Sequence, residues 1–279
     1  MRRLKDYLIM IKPYQTLMLI FTGLVGYLTA GKLLSAGTLH LLGSMLLTIG
    51  GATLFNMWYD ADIDSVMERT KGRPIPAGRV PRGEVLAVAA VSSAVGLLWS
   101  FALGTLYGLV ALVGFFFNVF VYTLWTKRRT PWSILWGGIA GAMPILGGRV
   151  LSTGKIDTLG LLLALIILLW VPIHNVTFEV KYREDYARAG VPVLPNVYGL
   201  RFSTYLIPLF VLLSYVAMLI TALFLRASPF TFVLLTTAFL FFFAVSLLNV
   251  KDPDSKKAFI LFKLASSYMF VSMVAMVLA

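Results

Sequence analysis

Runs of about twenty apolar residues recur from one end of this 279-residue chain to the other. A bilayer core about 30 Å thick takes roughly twenty residues of helix to cross. That recurrence restricts the chain to an all-α, polytopic membrane protein. Composition agrees: 59 % of residues are hydrophobic and 13 % charged, against roughly 45–50 % and about 25 % in soluble domains. An ordinary cytosolic globule, a disordered chain and a fibrous chain are all excluded. The spans leave no soluble domain of useful size. Cysteine is absent, which removes disulfides, thiolate nucleophiles, Cys-bound zinc and iron–sulfur clusters. A net charge of +12 raises the question of nucleic acid, but the loops of a multi-span protein account for it, so no nucleic-acid partner is expected.

About nine helices are expected, at 14–34, 39–58, 83–103, 105–125, 132–151, 158–180, 203–225, 229–249 and 258–278. They form one transmembrane domain, 1–279. The Met1-Arg2-Arg3-Leu4-Lys5 start is signal-like. Lys12 and Pro13 interrupt it and no small-residue cleavage site follows, so it is read as a retained terminus. Assigning alternate loops to opposite sides puts nineteen of the 24 Lys and Arg on the side of the amino terminus and four on the other, with Lys263 inside the last span. The excess marks the cytoplasmic face. The expected location is the plasma membrane, with the amino terminus inside and the carboxyl terminus outside. Ten of the twelve acidic residues, Asp252 among them, lie in or beside the second, sixth and eighth loops on that same side. Acidic residues contribute little to topology, so their clustering needs a chemical reason.

The second span ends in Asn56-Met57-Trp58-Tyr59-Asp60-Ala61-Asp62-Ile63-Asp64. Asn56, Asp60 and Asp64 are four apart and stack on one face if the helix continues. Two carboxylates so placed repel each other, and more so at a membrane boundary. A divalent cation removes that cost. An oxygen-only set suits Mg2+, which prefers one or two carboxylates plus substrate phosphate. Arg69, Lys71 and Arg73 follow at once, and cations beside a carboxylate-held metal are how a protein grips a diphosphate. A solvated, capped helix end is the plainer alternative.

The sixth span runs into a second cluster, Trp170-Val171-Pro172-Ile173-His174-Asn175-Val176-Thr177-Phe178-Glu179. Asn175 and Glu179 repeat the Asn-x-x-x-acid spacing, Tyr182 and Tyr186 continue the face, and Asp185 lies within reach. The two clusters close spans four apart. They suggest two weakly related four-helix units plus a last helix, whose loops 59–82 and 181–202 carry the motifs. Two facing metal sites would clamp a diphosphate and assist its departure from an allylic carbon. The expected ligands are Asn56, Asp60, Asp64, Asn175, Glu179 and Asp185. His174 is either a heme-iron ligand, a proton acceptor or a histidine bonded to backbone.

At these residues the sequence resembles the intramembrane aromatic prenyltransferase superfamily. Asn56 to Pro76 resembles its first aspartate-rich motif. Lys127-Arg128-Arg129-Thr130-Pro131 with Gly137-Gly138-Ile139-Ala140-Gly141-Ala142-Met143-Pro144, and Asp185-Tyr186-Ala187-Arg188-Ala189-Gly190-Val191-Pro192-Val193-Leu194-Pro195, resemble its protoheme IX farnesyltransferase branch. That branch usually reads Pro-His-Phe-Trp-x-Leu-Ala before the Asp-Tyr. Here Asn175 and Glu179 stand in place of that pattern, closer to the more acidic second motif of other members. The resemblance implies a nine-helix bundle around a central cavity. A Mg2+-bound farnesyl diphosphate would sit at the cytoplasmic mouth, its tail in an apolar channel open to membrane lipid. Asn56, Asp60, Asp64 and Asp185 become the candidate catalytic residues. Lys127, Lys181 and Arg183 join Arg69, Lys71 and Arg73 as candidate diphosphate contacts. The acceptor is protoheme IX, or a phenolic, quinone-precursor or glycerol-phosphate lipid. A CDP-alcohol phosphotransferase is disfavoured because its Asp-Gly-x-x-Ala-Arg run is missing. A transporter is disfavoured because the ionisable residues sit at span ends. Gly137, Gly138, Gly141, Gly147 and Gly148 crowd the fifth span, for close helix packing or for ligand room.

Overall fold

The computed structural model describes residues 2–32, 36–251 and 253–279. Asp252, positions 33 and 34 at the end of the first expected span, and the side chain of Arg2 lie outside the described residues. In a hydrocarbon solvent each backbone polar group must be bonded within the protein. The chain meets that demand with helices alone: no strand occurs among the described residues. They are α1 (Arg2–Met10), α2 (Pro13–Leu28), α3 (Ala36–Tyr59), α4 (Ala61–Val66), α5 (Arg82–Leu103), α6 (Thr105–Phe116, continuing as a π-helix over Phe117–Thr126), α7 (Ser133–Thr153), α8 (Thr158–Lys181), α9 (Arg183–Arg188), α10 (Leu194–Val197), α11 (Leu200–Phe224), α12 (Pro229–Lys251) and α13 (Ser255–Val277).

Eight of these are long and apolar enough to cross a membrane, and a ninth candidate is the pair α1–α2. The expected first span needs correction. The helix starts at Pro13 and ends at Leu28, and the pair is bent by 56° at the break. Proline at the first helical position suits a helix start but cannot continue α1. Lys12, the residue before it, takes a left-handed conformation with φ 50°, which is uncommon for a residue with a side chain. The remaining spans fall within a few residues of expectation.

The helices close a ring around a cavity. α2 packs on α3, α7 and α13, α3 on α5, α5 on α6, α6 on α7, α7 on α8, α8 on α11 and α13, and α12 between α11 and α13. Small residues set the closest crossing. A Cβ on Gly26 would stand 2.0 Å from the carbonyl oxygen of Ile145, and one on Gly148 would stand 1.8 Å from that of Gly23. The α2–α7 backbones therefore touch, as in small-residue crossings of membrane helices. Leu98, Leu223, Val233, Leu240 and Phe241 are exposed on the outer surface, where an apolar side chain meets lipid at no cost.

Two smaller apolar clusters sit at the mouth. Met10, Leu54, Met57, Val80, Val85 and Ala89 join α1, α3, α5 and the loop before α5. Ile63 and Met67 pack against Val191 and Val193, so the two motif-bearing loops dock on each other. Asp185 reinforces that dock by accepting from the backbone N–H groups of Glu68 (3.1 Å) and Arg69 (3.3 Å).

Candidate active site

The hydrogen bonds N–H(60) to O(56), 2.9 Å, and N–H(64) to O(60), 2.8 Å, carry the helical pitch from α3 into α4. Asn56, Asp60 and Asp64 are all buried, and Asp60 is only 1 % exposed. A buried carboxylate needs partners. Asn56 Nδ2 donates to Asp60 Oδ2 at 2.7 Å, and Lys127 Nζ pairs with the same oxygen. Arg73 holds Asp64 at 2.7 Å, and the Thr70 hydroxyl caps the Asp64 carbonyl at 2.9 Å. Lys12 Nζ donates to Asn56 Oδ1 at 3.0 Å. Arg128 pairs with Asp62 at 2.7 Å and lies 3.7 Å from Asp60. Its hydrogen bond draws the Asp62 carboxyl down to about 2.

Lys127 reaches Asp60 because of the π-helical end of α6. Its N–H bonds to the Tyr122 carbonyl five residues back, at 3.0 Å. The Thr123 and Thr126 hydroxyls likewise bond to the Asn118 and Val121 carbonyls at 2.8 Å. Wider π turns re-aim side chains and occur often at functional sites.

Some of these groups line the mouth of a cavity of about 650 Å3, and Asp60 stands behind that lining, held by Asn56 and Lys127. Lys12, Asn56, Asp64, Arg69, Arg73 and Lys127 line it at one end. Below them its walls are uncharged: Phe21, Met45, Ile49, Phe115, Ile167 and Met269 among others. Arg69 lies over the rings of Phe178, Tyr182 and Tyr186, with centroids at 4.8, 5.2 and 5.4 Å. It donates to the Tyr186 hydroxyl at 3.2 Å, while its buried Nε–H has no hydrogen-bond partner. A guanidinium desolvated on aromatic faces with a spare donor suits a phosphate oxygen.

The second cluster is arranged differently from the first. His174 lines the cavity between Trp170 (4.8 Å between centroids) and Phe262 (4.3 Å). Its Nδ1 is buried without a hydrogen-bond partner, so the backbone-bonded alternative does not describe that nitrogen. Asn175 also lines the cavity, whereas Glu179 lines a small side chamber and accepts from the Leu194 N–H at 3.3 Å. Asp185 is not a cavity-lining residue. Besides its loop contacts it pairs with Arg188, and although burial acts to raise its carboxyl, those bonds hold it below the usual range. Lys71 points away, paired with Glu68 at 2.6 Å on the surface. Lys181 lies near the Phe259 ring (5.7 Å), and Arg183 is exposed.

No three His, Cys, Asp or Glu side chains converge into a metal site among the described residues. Mg2+ does not require that, since one or two carboxylates with waters and substrate phosphate suffice. Asp60 supplies the test of fit: its Oδ1 is buried with no hydrogen-bond partner and lies 3.7 Å from Arg128, one helical turn from Asn56 and from Asp64. An oxygen-only set with one orphaned carboxylate oxygen fits Mg2+. The fifth-span glycines divide between both expected roles. Gly137, Gly141 and Gly147 line the cavity. Gly148 meets α2, and a Cβ on Gly138 would touch Leu168 of α8 at 3.0 Å. Lys12 and Tyr122 also line the cavity and were not among the expected site residues. The positive charge of Lys12 beside Pro13 was the available signal for the first.

A mouth of acidic and basic groups over an apolar chamber, enclosed by membrane-spanning helices, defines the class. The UbiA prenyltransferase family model matches residues 19–274, and the chain belongs to that family. It is an integral membrane prenyltransferase. Among curated proteins it is similar to a protoheme IX farnesyltransferase of Korarchaeum cryptofilum (strain OPF8), 38 % identical over 264 residues, covering 95 % of this chain and 90 % of the relative. In fold it is similar to a digeranylgeranylglyceryl phosphate synthase, with a TM-score of 0.81, 21 % identity and 99 % and 98 % of the two chains covered. It is also similar to a UbiA homologue from Archaeoglobus fulgidus bound to GPP and Mg2+, with a TM-score of 0.69, 14 % identity and 96 % and 99 % covered.

Proposed function

We propose that this protein transfers the farnesyl group of farnesyl diphosphate to a vinyl group of protoheme IX, giving heme O, with Mg2+ bound at the first cluster. The observation that carries this is one cavity lined by Lys12, Asn56, Asp64, Arg69, Arg73 and Lys127 and also by His174, which sits between two aromatic rings with its Nδ1 unpartnered. The 38 % identity to a protoheme IX farnesyltransferase supports the acceptor, and a relative in fold binds GPP and Mg2+.

Asn56, Asp60 and Asp64 would hold the ion, which when bound neutralises the departing diphosphate as a Lewis acid. Arg69, Arg73 and Lys127 bind the diphosphate oxygens, and Lys12 fixes Asn56 in its donor orientation. The uncharged walls exclude water from the allylic carbon until the acceptor is seated. Neutral imidazole is a good heme-iron ligand, so His174 orients the porphyrin. The vinyl carbon then bonds to farnesyl C1 as the C–O bond to diphosphate breaks. Water adds to the adjacent carbon, and its proton leaves with diphosphate. Glu179 and Asp185 position the loop after α8 against the mouth, while Lys71, Lys181 and Arg183 attract the anionic substrate from outside. The charge asymmetry of the loops supports an orientation with this mouth and the amino terminus cytoplasmic and the carboxyl terminus outside, in what we take to be the plasma membrane. The recurrence of the Asn-x-x-x-acid spacing at Asn56 and Asn175 supports one domain of two weakly related four-helix units plus a last helix.

A second reading, transfer to a phenolic, quinone-precursor or glycerol-phosphate lipid acceptor, is favoured by Asn175 facing the cavity and by the digeranylgeranylglyceryl phosphate synthase fold relative. Labelled farnesyl diphosphate offered to purified protein with protoheme, 4-hydroxybenzoate and a glycerol-phosphate lipid separates them. Label in protoheme alone is the expected result; label in either other acceptor alone supports the second reading.

A further inference from the structure

The far end of the cavity is built as a stop. Along α3 its lining runs from Asn56 to Met45, eleven residues or about 16 Å at 1.5 Å per residue. Along α7 it runs from Gly137 to Gly147, about 15 Å by the same rise. At that depth Tyr107 of α6 lines the chamber between Ser44 of α3 and Gly147 of α7. It is 2 % exposed yet lines the cavity. Its hydroxyl meets Ser44 Oγ at 2.8 Å, and Ser44 Oγ already donates to the Leu41 carbonyl at 3.0 Å. The single serine proton is thus used, and Tyr107 is the donor between them. The other side of the ring lies on Gly147, where a Cβ would come within 3.1 Å of Tyr107 Cε2. The ring is therefore pinned at its hydroxyl and backed by backbone.

A fully extended chain advances about 1.2 Å per bond, so the twelve-atom main chain of three isoprene units spans roughly 14 Å, and that of four units roughly 19 Å. Measured along α3 from Asn56, the innermost residue of the mouth, the first ends short of the Tyr107 ring and the second overruns it.

We propose that Tyr107, pinned by Ser44 and seated on Gly147, sets prenyl-chain length by ending the tail channel after three isoprene units. This rests on the reading of the mouth as a prenyl diphosphate site, and concerns the tail alone.

The test measures binding and needs no acceptor. The full chain in phospholipid nanodiscs with Mg2+ is loaded with radiolabelled farnesyl diphosphate. Geranyl, farnesyl and geranylgeranyl diphosphates then compete for the site. The wild-type protein prefers farnesyl to geranylgeranyl by about tenfold or more, since a full pocket rejects added carbons by steric conflict. Tyr107→Ala opens the chamber towards Ser44 and erases that preference, whereas Tyr107→Phe keeps the ring and the preference. Gly147→Ala pushes the ring inward and moves the preference towards geranyl, a gain that general damage would not produce. Equal binding of the three- and four-unit chains by wild-type protein overturns the proposal, as does an unchanged ratio in Tyr107→Ala that still binds farnesyl diphosphate. Failure of wild-type protein to bind any of the three overturns the reading of the mouth, and the stop with it.

Discussion

Asp60 has one carboxylate oxygen held by Asn56 and Lys127 and the other without a hydrogen-bond partner, and Asp64 has Arg73 beside it. Each therefore supplies negative charge at a buried point lined by cations. Removing one such electrostatic contact typically costs about 10²–10³ in rate. Asp60→Ala and Asp64→Ala are each expected to lose at least that much turnover while inserting and purifying normally. Near-normal turnover in either would contradict the assignment. If Arg69 and Arg73 meet the shared head group as proposed, Arg69→Ala and Arg73→Ala raise the apparent KM for every prenyl diphosphate by a similar factor. A change in preference between short and long tails would instead place them on the tail. The Asn-x-x-x-Asp-x-x-x-Asp spacing was legible because it is local. The partners were not, since Lys12 and Lys127 lie 44 and 67 residues from the side chains they hold.

Elements decide where those side chains point. The helical periodicity of 105–125 is apparent in the sequence, but its π-helical end is not, because α and π turns share the same apolar composition. The α1–α2 break was half legible: Lys12-Pro13 marked an interruption, but not its 56° bend. At the opposite end of the bundle, the Arg149 guanidinium joins three helices. It pairs with Asp157 at 2.7 Å and donates to the Thr29 carbonyl at 2.9 Å, while Asp157 caps α8 through the Gly160 N–H at 2.8 Å. Removing one partner of a buried pair costs about 3–5 kcal/mol. The Asp157 side chain keeps 21 % exposure, so Arg149→Leu should cost about 3 kcal/mol, at the low end of that range, read as a lowered melting temperature in detergent. The hydrogen bond from Arg149 holds the Asp157 carboxyl below its ordinary 3.8. A carboxyl depressed in the folded state contributes stability above its unfolded value and loses it as pH falls through the folded one. Melting temperature should therefore drop below about pH 4 more steeply in wild-type protein than in Asp157→Asn. Equal slopes would show the pair to be idle.

For the molecule as a whole, the sequence carried the membrane class, the number of spans and the family, because a bilayer forces apolar length into the primary structure. The assembly of the cavity was not legible. Its walls come from α2, α3, α5, α6, α7, α8 and α13, whose lining residues share no common motif. Nor does spacing reveal that Glu179 turns to the Leu194 N–H in a side chamber, or that Asp185 ties two loops together. Both depend on how the loops dock through Ile63, Met67, Val191 and Val193. One cavity joins the ionic mouth to His174, and the mass of the heme product shows whether protoheme is the acceptor seated there. Purified protein is incubated with protoheme IX, farnesyl diphosphate and Mg2+, and the extracted pigment is analysed by mass spectrometry. Protoheme gaining one farnesyl group and the elements of one water less a proton is the expected product, and the gain is lost in Asp60→Ala. Protoheme recovered unchanged by a preparation that farnesylates a phenolic or lipid acceptor would contradict protoheme as the acceptor.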